Sequence, residues 1–436
     1  MRFYNREKEL ALLAAARQRS EHSGQLTLLT GRRRVGKTRL IREHLRDETY
    51  LYFFITRKNE PLLCAEFVQQ VEETLGVRVY GQVTQLKDLF AFLLDYARTR
   101  HLNLVVDEFQ ELIRIAPSIF GDFQNLWDSA RESVRLHWIV SGSVYSLMSR
   151  LFEDAKEPLF GRANERLFVR PFRVDTQRSI LTDYAPNHRP EDFFCFYLLT
   201  GGVPKYIEYF VERACFTRST MLDSVLRADS LFLDEGRNVL IEEFGRDHAT
   251  YFSVLSLIAA GKTTRQAIES VLQRDSGGYL AKLESDYRVI ERVRPVNAKP
   301  GSRSVRYALS DNFLTFWFRF LYKYRSTLEI QNFDYLRRIV ERDYRSFGGR
   351  ILEKLFRQRL AESGEYAQVG SYWEAKNQNE IDVVAIDPLG KRLLIGEVKW
   401  QAKAISLKML EAKATRLVKP YKGYQVTYVG YSLADL

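Results

Sequence analysis

Gly31-Arg32-Arg33-Arg34-Val35-Gly36-Lys37-Thr38 is the stretch whose reading decides the fold. Its two glycines permit a tight turn and a close approach of backbone to a phosphate chain. Successive amide N–H groups then point at the anion, and a helix starting near Lys37 adds its positive dipole end. In such a loop the Lys37 ammonium reaches the terminal phosphates and the Thr38 hydroxyl ligates Mg²⁺. Arg32, Arg33, Arg34, Val35 and Arg39 complete the candidate nucleotide-contacting set. The flanks agree: Leu26-Thr27-Leu28-Leu29-Thr30 is β-prone, and Thr38 to Leu45 has a helical pattern.

Working outward, strand-like and helix-like segments alternate. Tyr50 to Ile55 is an apolar β-rich run, Leu86 to Tyr96 carries Leu86, Leu89, Phe90, Leu93 and Leu94 at helical spacing, and Asn103 to Val106 is a short buried-type strand. Leu136 to Val140 is another. Continuous apolar strands in a βαβ rhythm predict a parallel sheet with helices on both faces. The Asn103 strand ends in Asp107-Glu108, which suits a metal-holding aspartate followed by a glutamate that polarises water. The Leu136 strand ends in Ser141-Gly142-Ser143, where a serine, Ser141 first, would sense the γ-phosphate. Arg162 and Arg166 are candidates for neutralising transition-state charge.

The chain has 436 residues, enough for about three domains, and 45% of them are hydrophobic, which excludes a disordered protein. A formal net charge of +11 favours polyanionic partners, with nucleic acid first. Three cysteines (Cys64, Cys195, Cys215) without metal-ligand spacing argue for a reducing compartment. The N-terminus lacks the apolar core of a signal peptide, and no uncharged run approaches the roughly 18–20 residues of a membrane helix. A cytoplasmic protein without membrane contact is expected.

Four segments emerge: a P-loop core at 1–169, a helical lid at 170–245, a winged helix at 246–325 and a final α/β domain at 326–436. The winged helix rests on helical patterns at Tyr251–Ile258, Thr264–Leu272 and Gly278–Tyr287. Two β-prone arms follow, Arg292–Val296 and Val305–Leu309. Arg288, Arg292, Arg294, Lys299, Arg303 and Arg306 give it a basic rim fit for phosphate contacts. In the last segment an amphipathic helix (Ile351, Leu352, Leu355, Phe356, Leu360) precedes β-prone runs at Tyr366–Val369, Ile381–Ile386 and Leu393–Val398. A helix at Leu407–Leu417 and a strand at Val426–Val429 close it. A hairpin would bring Asp382 beside Glu397 and Lys399, which share one strand face. Two carboxylates and a lysine there can hold a divalent metal and activate water, with Glu353 completing the site. A metal-free structural role for this cluster stays open.

The P-loop wording resembles that of the archaeal-type ATPases, in the STAND-like branch of the AAA+ superfamily. Phe3 to Leu10 resembles the N-terminal motif of that family, Ser141-Gly142-Ser143 its sensor strand end, Leu159 to Arg162 the segment before its lid, and Gly201-Gly202-Val203-Pro204 its GxP turn. The resemblance implies that residues near Arg6 and near Pro204 flank an adenine. Asp382, Glu397 and Lys399 in their αβββαβ setting resemble the PD-(D/E)xK nuclease core, which that family often carries as a C-terminal domain.

The fold expected is therefore α/β and multidomain: a P-loop parallel sheet, a helical lid, a winged helix and a restriction-endonuclease-like domain. The leading function is a Mg²⁺-dependent ATPase whose nucleotide state governs a DNA-binding winged helix and a nuclease-like domain. Two alternatives stand beside it. One is a nucleotide-bound switch with a scaffolding C-terminus and a protein partner. The other is an ATP-regulated, metal-dependent endonuclease in repair or defence. ATP and Mg²⁺ are the expected cofactors. Assembly around an arginine supplied by a second copy is left open by Arg162.

Overall fold

The computed structural model describes residues 1–244, 248–299, 301–302, 304–374 and 378–436. Pro300 and Arg303 of the expected wing lie outside them. The chain forms two compact units, one of Asn5–Arg170 and one of Met1–Tyr4 with Pro171–Leu436.

The first unit is built on five strands: β1 (Gln25–Thr30), β2 (Tyr50–Phe54), β3 (Leu102–Asp107), β4 (Leu136–Gly142) and β5 (Glu165–Phe168). All pairings are parallel, in the order β2-β3-β4-β1-β5. Every residue of β1, β3 and β4 is buried, as a sheet covered on both faces requires. The helix Leu86–Thr99 buries Leu86, Leu89, Phe90, Leu93, Leu94 and Ala97, the stripe its spacing predicts. Its Phe90 meets Trp138 of β4 with ring centroids 4.7 Å apart, and Phe123 and Trp127 close on the same indole at 5.5 and 5.4 Å. Such aromatic pairs each add about 0.5–1.5 kcal/mol beyond their burial. Because β4 lies between β1 and β3, the C-terminal ends of these three strands stand side by side.

The second unit opens with five helices: Val174–Tyr184, Pro190–Thr200, Pro204–Glu212, Arg218–Val225 and Phe232–Phe244. Pro190–Thr200 is buried continuously from Asp192 to Thr200, so the others pack around it. Three further helices, His248–Ala259, Arg265–Leu272 and Gly277–Ser285, lead into an antiparallel pair, β6 (Ile290–Val293) and β7 (Arg306–Leu309). The first arm stops short of the predicted Val296 for a physical reason. The Val296 N–H donates to the Ser371 carbonyl at 3.0 Å, and Gln368 Nε2 donates to the Val296 carbonyl at 2.7 Å.

The predicted amphipathic helix is much longer than its apolar pattern, running from Phe333 to Ser363. Asn332 caps it by accepting from the Tyr335 N–H at 3.1 Å. Gly348 does not break it, because the missing side chain is where Trp400 and Phe194 approach; a Cβ there would stand 3.0 and 3.1 Å from their rings. Then come β8 (Gln368–Tyr372), β9 (Ile381–Asp387), β10 (Arg392–Lys399), the helix Leu407–Val418 and β11 (Gln425–Ser432). They form a sheet in the order β11-β10-β9-β8, antiparallel except for the parallel β10–β11 pair.

Two predictions concern stability. Gly202 has φ +78°, and a Cβ would lie 2.4 Å from the Phe172 carbonyl oxygen. Gly278 has open space around it, within the helix Gly277–Ser285. Gly202→Ala is expected to cost at least about 2 kcal/mol and Gly278→Ala to be neutral or stabilising by up to about 1 kcal/mol, read as denaturant midpoints.

The second concerns acid. His137 of β4 is fully buried, and its Nε2 lies 3.3 Å from Thr27 Oγ1. The His44 ring stands edge-on to it with centroids 5.6 Å apart. Burial, then the charges of neighbouring His44, His101, Arg17 and Arg19, pulls His137 down to about 3. Burial, then Arg17, pulls His44 down to about 4 against the opposing Glu48. Both bind protons more weakly folded than unfolded, so their stabilisation is complete above about pH 6.5 and is lost as pH falls toward 4 and below. His44→Gln should flatten the decline of unfolding free energy between pH 6 and pH 4.5 by up to about 1.4 kcal/mol per pH unit.

Candidate functional site

The P-loop follows β1 and is shaped by backbone that only certain residues tolerate. Gly31 has φ +153°, and a Cβ there would lie 2.6 Å from the Val169 carbonyl oxygen. Arg34 (φ 71°) and Gly36 (φ 91°) then turn the chain left-handed into the helix Lys37–His44. Lys37 is buried, and its Nζ donates to the carbonyls of Gly31 at 2.8 Å and Arg32 at 3.3 Å. The ammonium thus sits over the mouth of the loop. Arg6 is buried too; its guanidinium donates to the carbonyls of Val35 (3.4 Å) and Arg170 (2.7 Å) and pairs with Glu9 at 2.9 Å. Arg33 and Arg39 are exposed, whereas Val35 is in the core.

Asp107 ends β3 with both carboxylate oxygens engaged. Oδ1 accepts from the Glu108 N–H at 3.0 Å. Oδ2 accepts from Thr38 Oγ1 at 3.3 Å and from the Tyr52 hydroxyl of β2. Burial, then the Asp107 charge, raises the Tyr52 phenol well above its ordinary value, so it stays a donor. Glu108 adopts φ 55°, a left-handed conformation costly for a residue with a side chain. Its carboxylate accepts from Ser143 Oγ at 3.0 and 2.7 Å and from Gln110 Nε2. Ser141, the first-named sensor, is fully buried and its hydroxyl has no partner among the described residues. It is Ser143, past the end of β4, that turns toward Glu108.

The donor set suits a nucleotide with Mg²⁺. A hydroxyl and a carboxylate, Thr38 and Asp107, are hard oxygen donors within hydrogen-bond distance of each other, and Lys37 reaches back to the carbonyl of Gly31, where only glycine fits against Val169. Tyr52 and Gln110 escaped sequence reasoning. Only the alternation of half-buried Tyr50 and Tyr52 with buried Leu51 and Phe53 hinted that β2 presents a polar face.

Arg162 is held elsewhere. It forms a forked pair with Asp128 (3.0 and 2.6 Å) and donates to the Pro158 and Phe160 carbonyls at 2.5 and 3.1 Å. Arg166, on β5, donates to the Phe152 carbonyl at 3.4 Å. Pro204 belongs to the other unit, at the first turn of the helix Pro204–Glu212, after Gly201 (φ 54°) and Gly202 (φ 78°).

In the second unit, the β9–β10 hairpin register pairs Val383 with Gly396, which sets Asp382 across from Glu397. Asp382 Oδ2 accepts from the Val398 N–H at 2.8 Å and lies 4.0 Å from Lys399 Nζ. Glu397 is gripped by two ammonium groups, Lys399 at 3.2 Å and Lys413 at 3.1 Å. Burial works against the Glu397 carboxylate, but Lys413 and Lys399 outweigh it and hold its pKa below the ordinary value. Burial raises Asp382, against the Val398 N–H and Lys399. Burial and then Asp382 push Glu353 up to about 7. Among the described residues no group of three or more His, Cys, Asp or Glu side chains is arranged to hold a metal ion. A cation entering here competes with Lys399 and Lys413 for Glu397. Lys413, on the helix Leu407–Val418, was not foreseen.

Comparison with known proteins follows this geometry. Residues 3–210 match the family described as an ATPase domain predominantly from Archaea. Residues 317–415 match the family described as Archaea bacterial proteins of unknown function. An uncharacterized protein of Methanocaldococcus jannaschii is 26% identical over 409 residues, covering 92% of this chain and 88% of its own. The Walker-type ATPase of Pyrococcus abyssi is similar in fold, with a TM-score of 0.56 at 19% identity over 72% of this chain and 96% of that one. No helix among the described residues is long and apolar enough to cross a membrane. Residues 3–210 thus match an ATPase domain family, with a fold similar to that of a Walker-type ATPase, and residues 317–415 match a family of unknown function.

Proposed function

We propose that the protein hydrolyses ATP with Mg²⁺ at the joined ends of β1, β3 and β4. The observation that carries this reading is the chain of contacts from Thr38 to Asp107 and from Glu108 to Ser143, which joins the P-loop to the end of β3 and the end of β3 to that of β4. The backbone N–H groups of residues 31–38 bind the phosphates, and Lys37 neutralises the terminal ones. Thr38 and Asp107 would hold Mg²⁺, which would supply charge neutralisation on the phosphates. Glu108 orients and polarises the attacking water, and accepts its proton as the bond from water to the γ-phosphorus forms and the bond from that phosphorus to the β–γ bridging oxygen breaks, with ADP as the leaving group. Ser143 and Gln110 set the direction of that carboxylate through neutral hydrogen bonds, which leave its charge available.

A second reading concerns the other unit. The juxtaposition of Asp382, Glu397 and Lys399 supports a metal-dependent nuclease, and the net charge together with the three helices before the β6–β7 pair supports a winged helix on DNA. Two basic side chains of the rim are already engaged: Arg292 with Glu284 at 2.5 Å, and Arg306 with Glu380 at 2.5 Å and over the Trp373 ring at 4.2 Å. Mg²⁺- or Mn²⁺-dependent cleavage of DNA that disappears in Asp382→Ala is the outcome this reading expects. Cleavage that survives the substitution sinks it.

Two variants test the ATPase. Glu108→Gln should keep ATP affinity within a few-fold and lower phosphate release by about 10²–10⁴-fold. Lys37→Ala should lose both. Unchanged turnover in Glu108→Gln would remove Glu108 from the role of base, whereas negligible turnover in the unaltered protein would leave only a nucleotide-binding switch. Tyr52→Phe removes one donor from Asp107 and keeps the ring. It should move the Mg²⁺ dependence of binding of a fluorescent ATP analogue to several-fold higher concentration, while binding without Mg²⁺ stays as it was.

A further inference from the structure

The unit Pro171–Leu436 holds an open groove of about 600 Å³ that neither reading above uses. Arg189, Glu191, Arg345, Trp400 and Lys403 line it. Three are cations and one is an anion. That anion is already spent, since Glu191 pairs with Arg218 at 2.8 Å. Arg189 leans on Asp192 at 3.3 Å. Arg345 and Lys403 are exposed and have no carboxylate partner among the described residues. The groove is therefore positive, with two side chains ready for a polyanion.

Trp400 gives the groove a second character. Its ring is clamped by Phe194 (centroids 5.3 Å apart, 89°) and by Tyr344 (5.8 Å, 83°). Gly348 of the long helix opens the space for this packing. The indole is thus fixed before anything binds, half-buried, with its remainder on the groove. A rigid aromatic surface beside two cations is the recognition chemistry of an unpaired nucleic-acid strand, since every base offers a π-face and every link a phosphate. A duplex offers only the phosphates, because its bases are stacked on one another. Trp400 also follows Lys399 directly, so the groove starts where the acid–lysine cluster of β10 ends.

We infer that this groove binds single-stranded nucleic acid, with phosphates on Arg345 and Lys403 and a base against Trp400. The inference shares only the class of partner with the nucleic-acid reading above. It assigns a surface other than the β6–β7 pair and is independent of ATP turnover.

The test is fluorescence anisotropy of a labelled oligothymidylate of about twenty nucleotides with the full-length chain, at several salt concentrations. The paired substitution Arg345→Glu and Lys403→Glu should weaken binding at least about tenfold and reduce the slope of log affinity against log salt by about 1.4. Phosphate release from ATP without oligonucleotide should stay at the wild-type rate. Trp400→Phe should bind within a few-fold of wild type and Trp400→Leu about tenfold more weakly. If Trp400→Leu fails to fold, the charge pair still decides. Unchanged affinity and slope in the charge pair overturns the groove. So does a duplex of the same length binding as tightly as the single strand. Loss confined to Arg292→Glu with Arg294→Glu also overturns it, while leaving the broader nucleic-acid reading in place. No binding by the wild-type chain overturns both.

Discussion

The hydrogen bond from Thr38 to Asp107, 3.3 Å long, closes a gap that the strand order creates. Thr38 belongs to the helix after β1 and Asp107 to the end of β3, and β4 lies between those strands. The contact exists only because the P-loop carries its helix forward over the end of β4. That path in turn depends on left-handed backbone at Arg34 and Gly36 and on the empty space at Gly31. Backbone geometry, sheet order and the site chemistry are therefore one constraint, whereas Ser143 reaches Glu108 simply because β4 and β3 are adjacent.

The two acidic clusters differ in what surrounds their carboxylates. Glu108 accepts from a hydroxyl and an amide, donors without net charge, so it keeps the negative charge with which water can be polarised. Glu397 stands between Lys399 and Lys413, and their charges cancel its own. A carboxylate already neutralised by two ammonium groups does little to attract a further cation. This contrast ranks ATP hydrolysis as the first function and phosphodiester cleavage as the second, although both clusters share the same acidic residue types.

What was legible in the sequence follows from the range of each interaction. The P-loop, the Asp107-Glu108 pair and the stripe of Leu86, Leu89, Phe90, Leu93 and Leu94 are local patterns, and local spacing expresses them fully. Tyr52, Gln110 and Lys413 reach their carboxylates only through strand order and helix docking, which no local pattern contains. Ser141 and Ser143 differ by two positions on one strand face. The choice between them turned on where β4 ends, which is Gly142. The arm at Val296 was overextended because its β-propensity is real but is satisfied by Ser371 of another sheet. The first half of the long helix buries Leu336, Ile339, Val340 and Tyr344, but charged residues crowd between them (Arg337, Arg338, Glu341, Arg342, Asp343) and blur the periodicity, so only the part from Ile351 reads as an apolar stripe.

Arg6 shows how a single side chain can tie the P-loop to the covalent frame of the molecule. The chain passes from one unit to the other twice, after Tyr4 and after Arg170. Arg6 lies two residues beyond the first passage, and it donates to the carbonyl of Arg170, the last residue before the second. It also pairs with Glu9 and donates to the carbonyl of Val35 inside the P-loop. A buried guanidinium is rigid in this setting, since three of its partners fix its plane and leaving any one of them unpaired costs about 1–3 kcal/mol.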